Sequence, residues 1–253
     1  MDIVQINSGK KEKLKDEIVR EISLTIFVND KELITLQCSP DRLEYLAVGF
    51  LLSKGLIKKG INIKHVYLNE KDWYIKIDLE GSFPDLNNLF LKETIALGCA
   101  GGVNFCRDID IQGCIPLKTQ TQFPYKLISM LMKEFQEKSL TFKRTGGVHS
   151  CVLCSKKGIE IFAEDIGRHN AVDKVFGECF MGGGYTKDKF ILISGRVSSE
   201  ILVKIAKRKV SLIASRSAPT DLAINLAEKL NVSLVGFVRG YRMNVYTHSY
   251  RVT

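Results

Sequence analysis

The sequence predicts an α/β protein in which a C-terminal half built on a mostly parallel sheet follows a smaller α+β N-terminal unit. Two observations point to the sheet. From Thr145 onward, short apolar runs alternate with amphipathic segments, the pattern of strands with helices packed on a sheet's faces. Runs such as "FILIS", "VSLIAS" and "VSLVGFV" are apolar almost throughout, as strands buried on both sides are. The N-terminal half reads differently: two alternating hairpins flank one helix, and a chain of this length holds one large domain or two smaller ones.

The elements follow in order. "REISLTIFVNDKELITLQ" alternates apolar and polar residues around "VNDKE" and reads as a hairpin. "SPDRLEYLAVGFLLSKGLI" has a Ser-Pro-Asp start, helical spacing and a stop at Gly55, and reads as a helix. "HVYLNEKDWYIKIDL" is a second hairpin. "YKLISMLMKEFQEK" is an amphipathic helix beginning after Pro124. "VHSCVLC" and "GIEIFAED" form a hairpin through "SKK", and "RHNAVDKVFGECF" presents Ala171, Val172, Val175 and Phe176 on one helical face. Strand "FILIS", helix "SSEILVKIAKRK", strand "VSLIAS", helix "PTDLAINLAEKL" and strand "VSLVGFV" complete the chain.

Composition excludes several classes. Hydrophobic residues make up 45% and charged residues 26% of 253, an ordinary globular balance. The start, "MDIVQINSGKKEKLKDE", has no apolar stretch like that of a signal peptide, and the longest apolar run, "YLAVGFLL", is too short to span a bilayer. A cytoplasmic setting with no membrane partner is expected. The seven cysteines (Cys38, Cys99, Cys106, Cys114, Cys151, Cys154 and Cys179) are odd in number and irregularly spaced, against a disulfide framework. "CVLC" is a CxxC, but on a strand Cys151 and Cys154 point to opposite faces, and no second pair accompanies them, so no metal is expected.

The net charge of +9 is uneven: residues 196–253 hold ten Lys or Arg against Glu200, Asp221 and Glu228, a local +7. In an open α/β sheet, ligands bind beyond the carboxyl ends of the strands. There the sequence places "EDIGRHN", "SGRVSS", "SRSAPT" and "GFVRGYR", with Arg168, Arg196, Arg216, Arg239 and Arg242 beside Ser and Gly amides. Such a set suits phosphate. Neither a Walker loop nor a dinucleotide fingerprint is present, and no stacking platform supports a nucleic-acid partner. Asp165 reads as a helix cap. His169 and Asp173 lie four apart on one helix and can face each other, as a satisfied histidine or as a general base; His149, beside Gly146 and Gly147, is equally open. Cys99, in "IALGCAGGVNFC", is a thiol in a pliable loop, open to reaction or to packing.

The ordered run "TGGVHS…EDIGRHNAVDKVFG…SGRVSSEILVK…SRSAPTDLAINLA…LVGFVRGYRMNVYTH" resembles the FdhD family of formate dehydrogenase accessory sulfurtransferases. The resemblance implies a C-terminal cytidine-deaminase-like α/β sandwich at residues 126–253 after a smaller α+β N-terminal domain, residues 1–125, that ends in the reactive-cysteine loop at about 95–114. It also implies a sulfur carrier, loaded as a cysteine persulfide by a cysteine desulfurase. The sulfur then passes to the molybdenum (or tungsten) guanine dinucleotide form of molybdopterin before insertion into formate dehydrogenase. By the same resemblance Cys99 is the reactive cysteine, and Phe237, Val238, Arg239, Gly240, Tyr241 and Arg242 match the family's cofactor-binding stretch; the cofactor's guanine nucleotide moiety is an expected partner, and a homodimer is expected. Many members carry CxxC in the reactive loop; here the third residue after Cys99 is Gly102, and the next cysteine is Cys106. The zinc ligands of deaminases, HxE and PCxxC, are missing from "GRHN" and "GRVSS", which sets deamination aside. The alternative reading is a non-catalytic chaperone that holds and delivers the cofactor.

Overall fold

The computed structural model describes residues 1–58, 60–81 and 114–253. The expected cysteine loop, with Cys99 and Cys106, lies outside the described residues except for its end at Cys114.

The chain begins with a two-stranded ribbon that the sequence pattern did not reveal, β1 (Asp2–Asn7) and β2 (Lys10–Lys15). Its residues alternate too weakly in polarity to signal strands. A four-stranded sheet follows, ordered β4-β3-β6-β5, from β3 (Ile22–Val28), β4 (Lys31–Cys38), β5 (Asn62–Asn69) and β6 (Tyr74–Glu80). The β3–β4 turn sets both Asn29 and Asp30 at positive φ, 48° and 61°, the conformation a two-residue hairpin loop requires. Helix α1 (Leu43–Ser53) links the hairpins, so that β3 runs parallel to β6. Leu24, Ile26, Ile75 and Ile77 pack with Leu46 and Leu51 of α1 as one core.

Helix α2 (Tyr125–Lys138) and the short α3 (Leu140–Thr145) lead to strands β7 (His149–Ser155) and β8 (Gly158–Asp165) and to helix α4 (Arg168–Met181). Next come β9 (Phe190–Ile193), α5 (Ser199–Lys207), β10 (Leu212–Ser215), α6 (Asp221–Leu230), β11 (Ser233–Arg239) and β12 (Arg242–Val245). The six strands form one sheet, β12-β11-β10-β9-β7-β8. The expectation of a mostly parallel sheet is corrected here. Only β9–β10 and β10–β11 pair in parallel, while β7–β8, β7–β9 and β11–β12 are antiparallel. The β7–β8 hairpin joins the sheet beside β9, and the chain folds back after Arg239 as a short polar edge strand with no apolar run to announce it.

Helices α4, α5 and α6 cover one face of this sheet through Val175, Phe176, Ile201, Ile205 and Leu226; α2 covers the other through Ile128, Leu131 and Phe135. Cys151 packs in the first layer and Cys154 in the second, so their side chains do point to opposite faces. Among the described residues no helix is long and apolar enough to cross a membrane.

The two sheets are joined back to back by α1 against α4. At this crossing a Cβ on Gly49 would strike the backbone of Asp173, and one on Gly177 the carbonyl of Tyr45. The obstructing atoms are main chain, which cannot rotate away. Even one methyl group in a packed core costs about 1–3 kcal/mol, so glycine at both positions is what allows the helices to touch.

Candidate functional site: a cationic cleft at the strand ends

Three connections build the site. After β9 the chain runs Ser194-Gly195-Arg196 into α5, capped by the Ser198 hydroxyl accepting from Ile201 N at 3.5 Å. After β10 it runs from Arg216 to Thr220, whose hydroxyl accepts from Ala223 N at 3.3 Å to cap α6. The two loops are zipped together: Val197 N donates to Ala218 O at 3.1 Å and Thr220 N to Val197 O at 3.0 Å. Ser215 Oγ donates to Gly195 O at 2.6 Å and accepts from Ser217 N at 2.9 Å, and Ser194 Oγ accepts from Ser150 N at 2.9 Å. These bonds hold the loops rigid before any ligand arrives, which lowers the cost of binding.

The third connection is in β11. Its register with β12 shifts between Gly236 and Arg239, and within that bulge Phe237 has φ 54°. A left-handed backbone costs a bulky residue about 1–2 kcal/mol, and such strain concentrates at functional positions. The Phe237 N–H is held by Ser217 O at 3.2 Å. The strained backbone places Phe237 on the wall of a cleft of about 480 Å³, with Arg216, Arg239, His149, Ser194 and Ser217 among the other lining residues. Phe142 and Lys143 of α3 also line it.

The arginines singled out in the sequence divide into groups. Arg216 and Arg239 line the cleft. Arg168 and Arg196 flank His149 closely enough to lower its pKa after the larger effect of burial, so the imidazole is neutral at pH 7. Gly195 makes this approach possible, since a Cβ there would lie 3.1 Å from His149 Nδ1. The Arg168 Nε is buried without a hydrogen-bond partner among the described residues. Arg242 stands opposite Arg239 on the exposed β11–β12 hairpin, and Tyr241 at its tip is 75% exposed. Val238 is 0% exposed in the core, so only its backbone is available to a ligand. None of the described carboxylates pairs with Arg168, Arg196, Arg216 or Arg239.

The acidic candidates belong elsewhere. Asp165, fully buried, accepts from Gly167 N at 2.8 Å at the start of α4, as a cap does, but also from Ser39 N at 3.1 Å and Asn170 Nδ2 at 2.8 Å. It pairs with the buried Lys174 at 2.7 Å, whose ammonium also reaches Asp41 at 3.1 Å and Glu164 O at 3.1 Å. His169 and Asp173 are not partners. His169 lies 3.3 Å from Glu200, whereas Asp173 takes Lys204 at 2.5 Å and the Ser53 hydroxyl at 2.5 Å. Burial, then Lys204, Arg168, Lys54 and His149, push the His169 pKa down to about 3. Sequence reasoning missed Lys174. Its signal was a charged pair, Asp173-Lys174, inside the apolar face of Ala171, Val172, Val175 and Phe176.

The thiols can be sorted in the same way. Cys38, Cys151, Cys154 and Cys179 are buried, and desolvation raises the pKa of each, that of Cys38 to about 12. All four are protonated, inert packing groups. Among the described residues no cluster of three or more His, Cys, Asp or Glu is arranged to hold a metal.

The fold is a mixed-sheet α/β one, and the cleft beyond its strand ends is lined by Arg216 and Arg239 and walled by Phe237, groups whose chemistry suits a phosphate-bearing ligand. The chain belongs to the FdhD/NarQ family, whose model matches residues 19–253. It is 41% identical to the sulfur carrier protein FdhD of Bacillus pumilus over 99% of this chain and 96% of that one. It is 40% identical to the protein of that name from Listeria monocytogenes over the full length of both. The crystal structure of a candidate formate dehydrogenase accessory protein from Desulfotalea psychrophila matches with a TM-score of 0.82 at 25% identity, covering 100% of this chain and 98% of that one.

Proposed function

We propose that this chain is a sulfur carrier of the sulfurtransferase type that serves formate dehydrogenase maturation in the cytoplasm. Its substrate is the guanine dinucleotide form of the molybdenum (or tungsten) pterin cofactor, and the carrier thiol is Cys99. The observation that carries this reading is the cleft: Arg216 and Arg239, free of carboxylates, stand beside an aromatic ring held by a strained backbone. The guanidinium groups suit phosphate oxygens, bidentate and always charged, and Phe237 offers a face to a heterocycle. The Arg239-to-Arg242 turn extends the cationic wall outward, and Arg168 and Arg196 add to the field that attracts the anion. The four inert buried thiols leave sulfur chemistry to the remaining cysteines. The six-stranded sheet covered by helices on both faces is compatible with the cytidine-deaminase-like sandwich implied by the family resemblance. A homodimer goes with the same reading.

Loading is a balanced exchange. The Cys99 thiolate attacks the outer sulfur of the donor's persulfide, a new S–S bond forms as the old one breaks, and the donor cysteine leaves as thiolate. No net oxidant is required. The test is mass spectrometry of the purified protein after incubation with a cysteine desulfurase and L-cysteine. The Cys99 peptide should gain the mass of one or more sulfur atoms. Cys99→Ser should gain none and should fail to restore formate dehydrogenase activity in a strain lacking its own copy, while Cys106→Ser keeps most activity. Unloaded Cys99 together with full activity of Cys99→Ser would favour a chaperone that only delivers the cofactor.

A further inference from the structure

The β1–β2 ribbon plays no part in the site described above, and it lies outside the stretch that the family model matches. Its pairing register places Asp2 opposite Lys15, Val4 opposite Lys13 and Ile6 opposite Lys11. Because side chains alternate along a strand, these six share one face. The other face carries Ile3 opposite Leu14, both half-buried. The outward face is unusual for a solvated surface: Val4 is 55% and Ile6 64% exposed, each set beside a lysine. Lysine stems lying along two aliphatic side chains make an apolar patch with a cationic rim.

The ribbon's position matters as much as its chemistry. The strap that joins it to β3 is anchored on the α3–β7 turn, where Glu17 pairs with Arg144 at 2.9 Å and Val19 lies against Gly147. The residues on either side of that anchor, Phe142, Lys143 and His149, line the cationic cleft. The ribbon ends at Lys15, two residues before that anchor, so a partner seated on it is held near the wall of the cleft.

We propose that Lys11, Lys13 and Lys15, around Val4 and Ile6, dock a carboxylate-rich patch on the protein that hands sulfur to this chain. The choice of partner rests on the sulfur-carrier reading; the surface does not. A second copy is a poor occupant, because it would set lysine against lysine. Nucleic acid is poorly served by a ribbon with neither arginine nor an aromatic residue. A bilayer would receive only two aliphatic side chains.

The experiment uses the full chain and a purified cysteine desulfurase, with binding and sulfur uptake measured separately. Wild type should bind in a salt-sensitive manner. Lys11→Glu/Lys13→Glu/Lys15→Glu should bind about tenfold more weakly or worse, through a slower on-rate. Val4→Ser/Ile6→Ser, with charge unchanged, should also bind more weakly, which separates a docking patch from the general attraction of a basic protein. Uptake from the desulfurase should slow in step with binding, while uptake from inorganic polysulfide stays at the wild-type rate. Equal binding by the lysine variant, no binding by wild type, or ribbon-dependent binding only to anionic phosphatidylglycerol vesicles or duplex DNA would overturn the docking surface. Normal binding without any sulfur uptake would support the surface and sink the carrier reading.

Discussion

The α1–α4 seam and the strand-end cleft are both rich in charge, and both draw on the segment that begins "EDIGRHNAVDKV". They use charge in opposite ways. In the seam charges stand in pairs: Asp165 with Lys174, Asp173 with Lys204, and Arg42 with Glu178. In the cleft the cations have no matching carboxylates among the described residues, and their neighbours are hydroxyls, amides and aromatic rings. Paired charge in a buried place fixes one arrangement of two helices. Unpaired charge at a rigid, open place waits for a ligand. Mutation should therefore separate the two regions: seam substitutions should cost stability, and cleft substitutions should cost binding.

The largest effect belongs to the seam. Asp165→Ala removes the partner of a lysine that is 0% exposed and strips the acceptor from Ser39 N, Gly167 N and Asn170. Breaking one side of a buried pair costs about 3–5 kcal/mol. Urea denaturation should show a loss of that size, with affinity for GDP unchanged in the fraction that remains folded. A loss under about 1 kcal/mol would mean that the seam is wetter and looser than its geometry, and the contrast between the regions would fail.

The cleft should behave in reverse. Arg216→Ala and Arg239→Ala remove exposed side chains that hold nothing else in place, so stability should stay within about 0.5 kcal/mol of wild type. Each should weaken GDP binding about tenfold, or about 1.4 kcal/mol, and added salt should narrow the gap. Calorimetry on the two variants and the double variant gives the numbers. Unchanged affinity in both would remove the arginines from the binding wall.

How much of this contrast could be read in the sequence depends on what each region is made of. The cleft's location was legible because strand-helix alternation fixes where the loops fall, and an arginine in each loop is visible in one dimension. Phe237 was noted as part of "GFVRGYR", but its left-handed backbone follows from the bulge against β12, a polar edge strand that local pattern does not announce. The seam was hidden for a different reason. Its partners come from distant parts of the chain, Ser39 with Asp165 and Ser53 with Asp173, and no periodicity links them. The two glycines of the helix crossing read as ordinary helical residues until the opposing main chain is seen. The β7–β8 hairpin was legible from its two runs and short turn, but its antiparallel docking beside β9 and the return of β12 along β11 were not, because pairing direction is decided by tertiary packing and not by strand composition.

The smallest predicted effect lies where the two regions meet. His169 opens α4 between Lys204 of the seam and Arg168 of the cleft rim, and its ring approaches Glu200 at 3.3 Å. Although 27% of the side chain is exposed, burial and the surrounding cations outweigh the single carboxylate and hold the pKa at about 3, far below the ordinary 6.5. The folded state thus prefers the neutral ring, and the unfolded chain binds the proton more readily. Stability from this group is complete above about pH 6.5, falls as the pH drops toward 3, and stays constant below that. His169→Gln, which keeps a polar side chain but cannot take the proton, should remove this component. The difference in unfolding free energy between wild type and variant should therefore shift against wild type as the pH falls from 7 to 4, through the range where unfolded histidine titrates. Carboxylate titration is common to both proteins and cancels in the difference. A flat difference would mean that Glu200 offsets burial and the cations and leaves the folded pKa near its ordinary value, and the cationic field shared by seam and cleft would be weaker than their side chains imply.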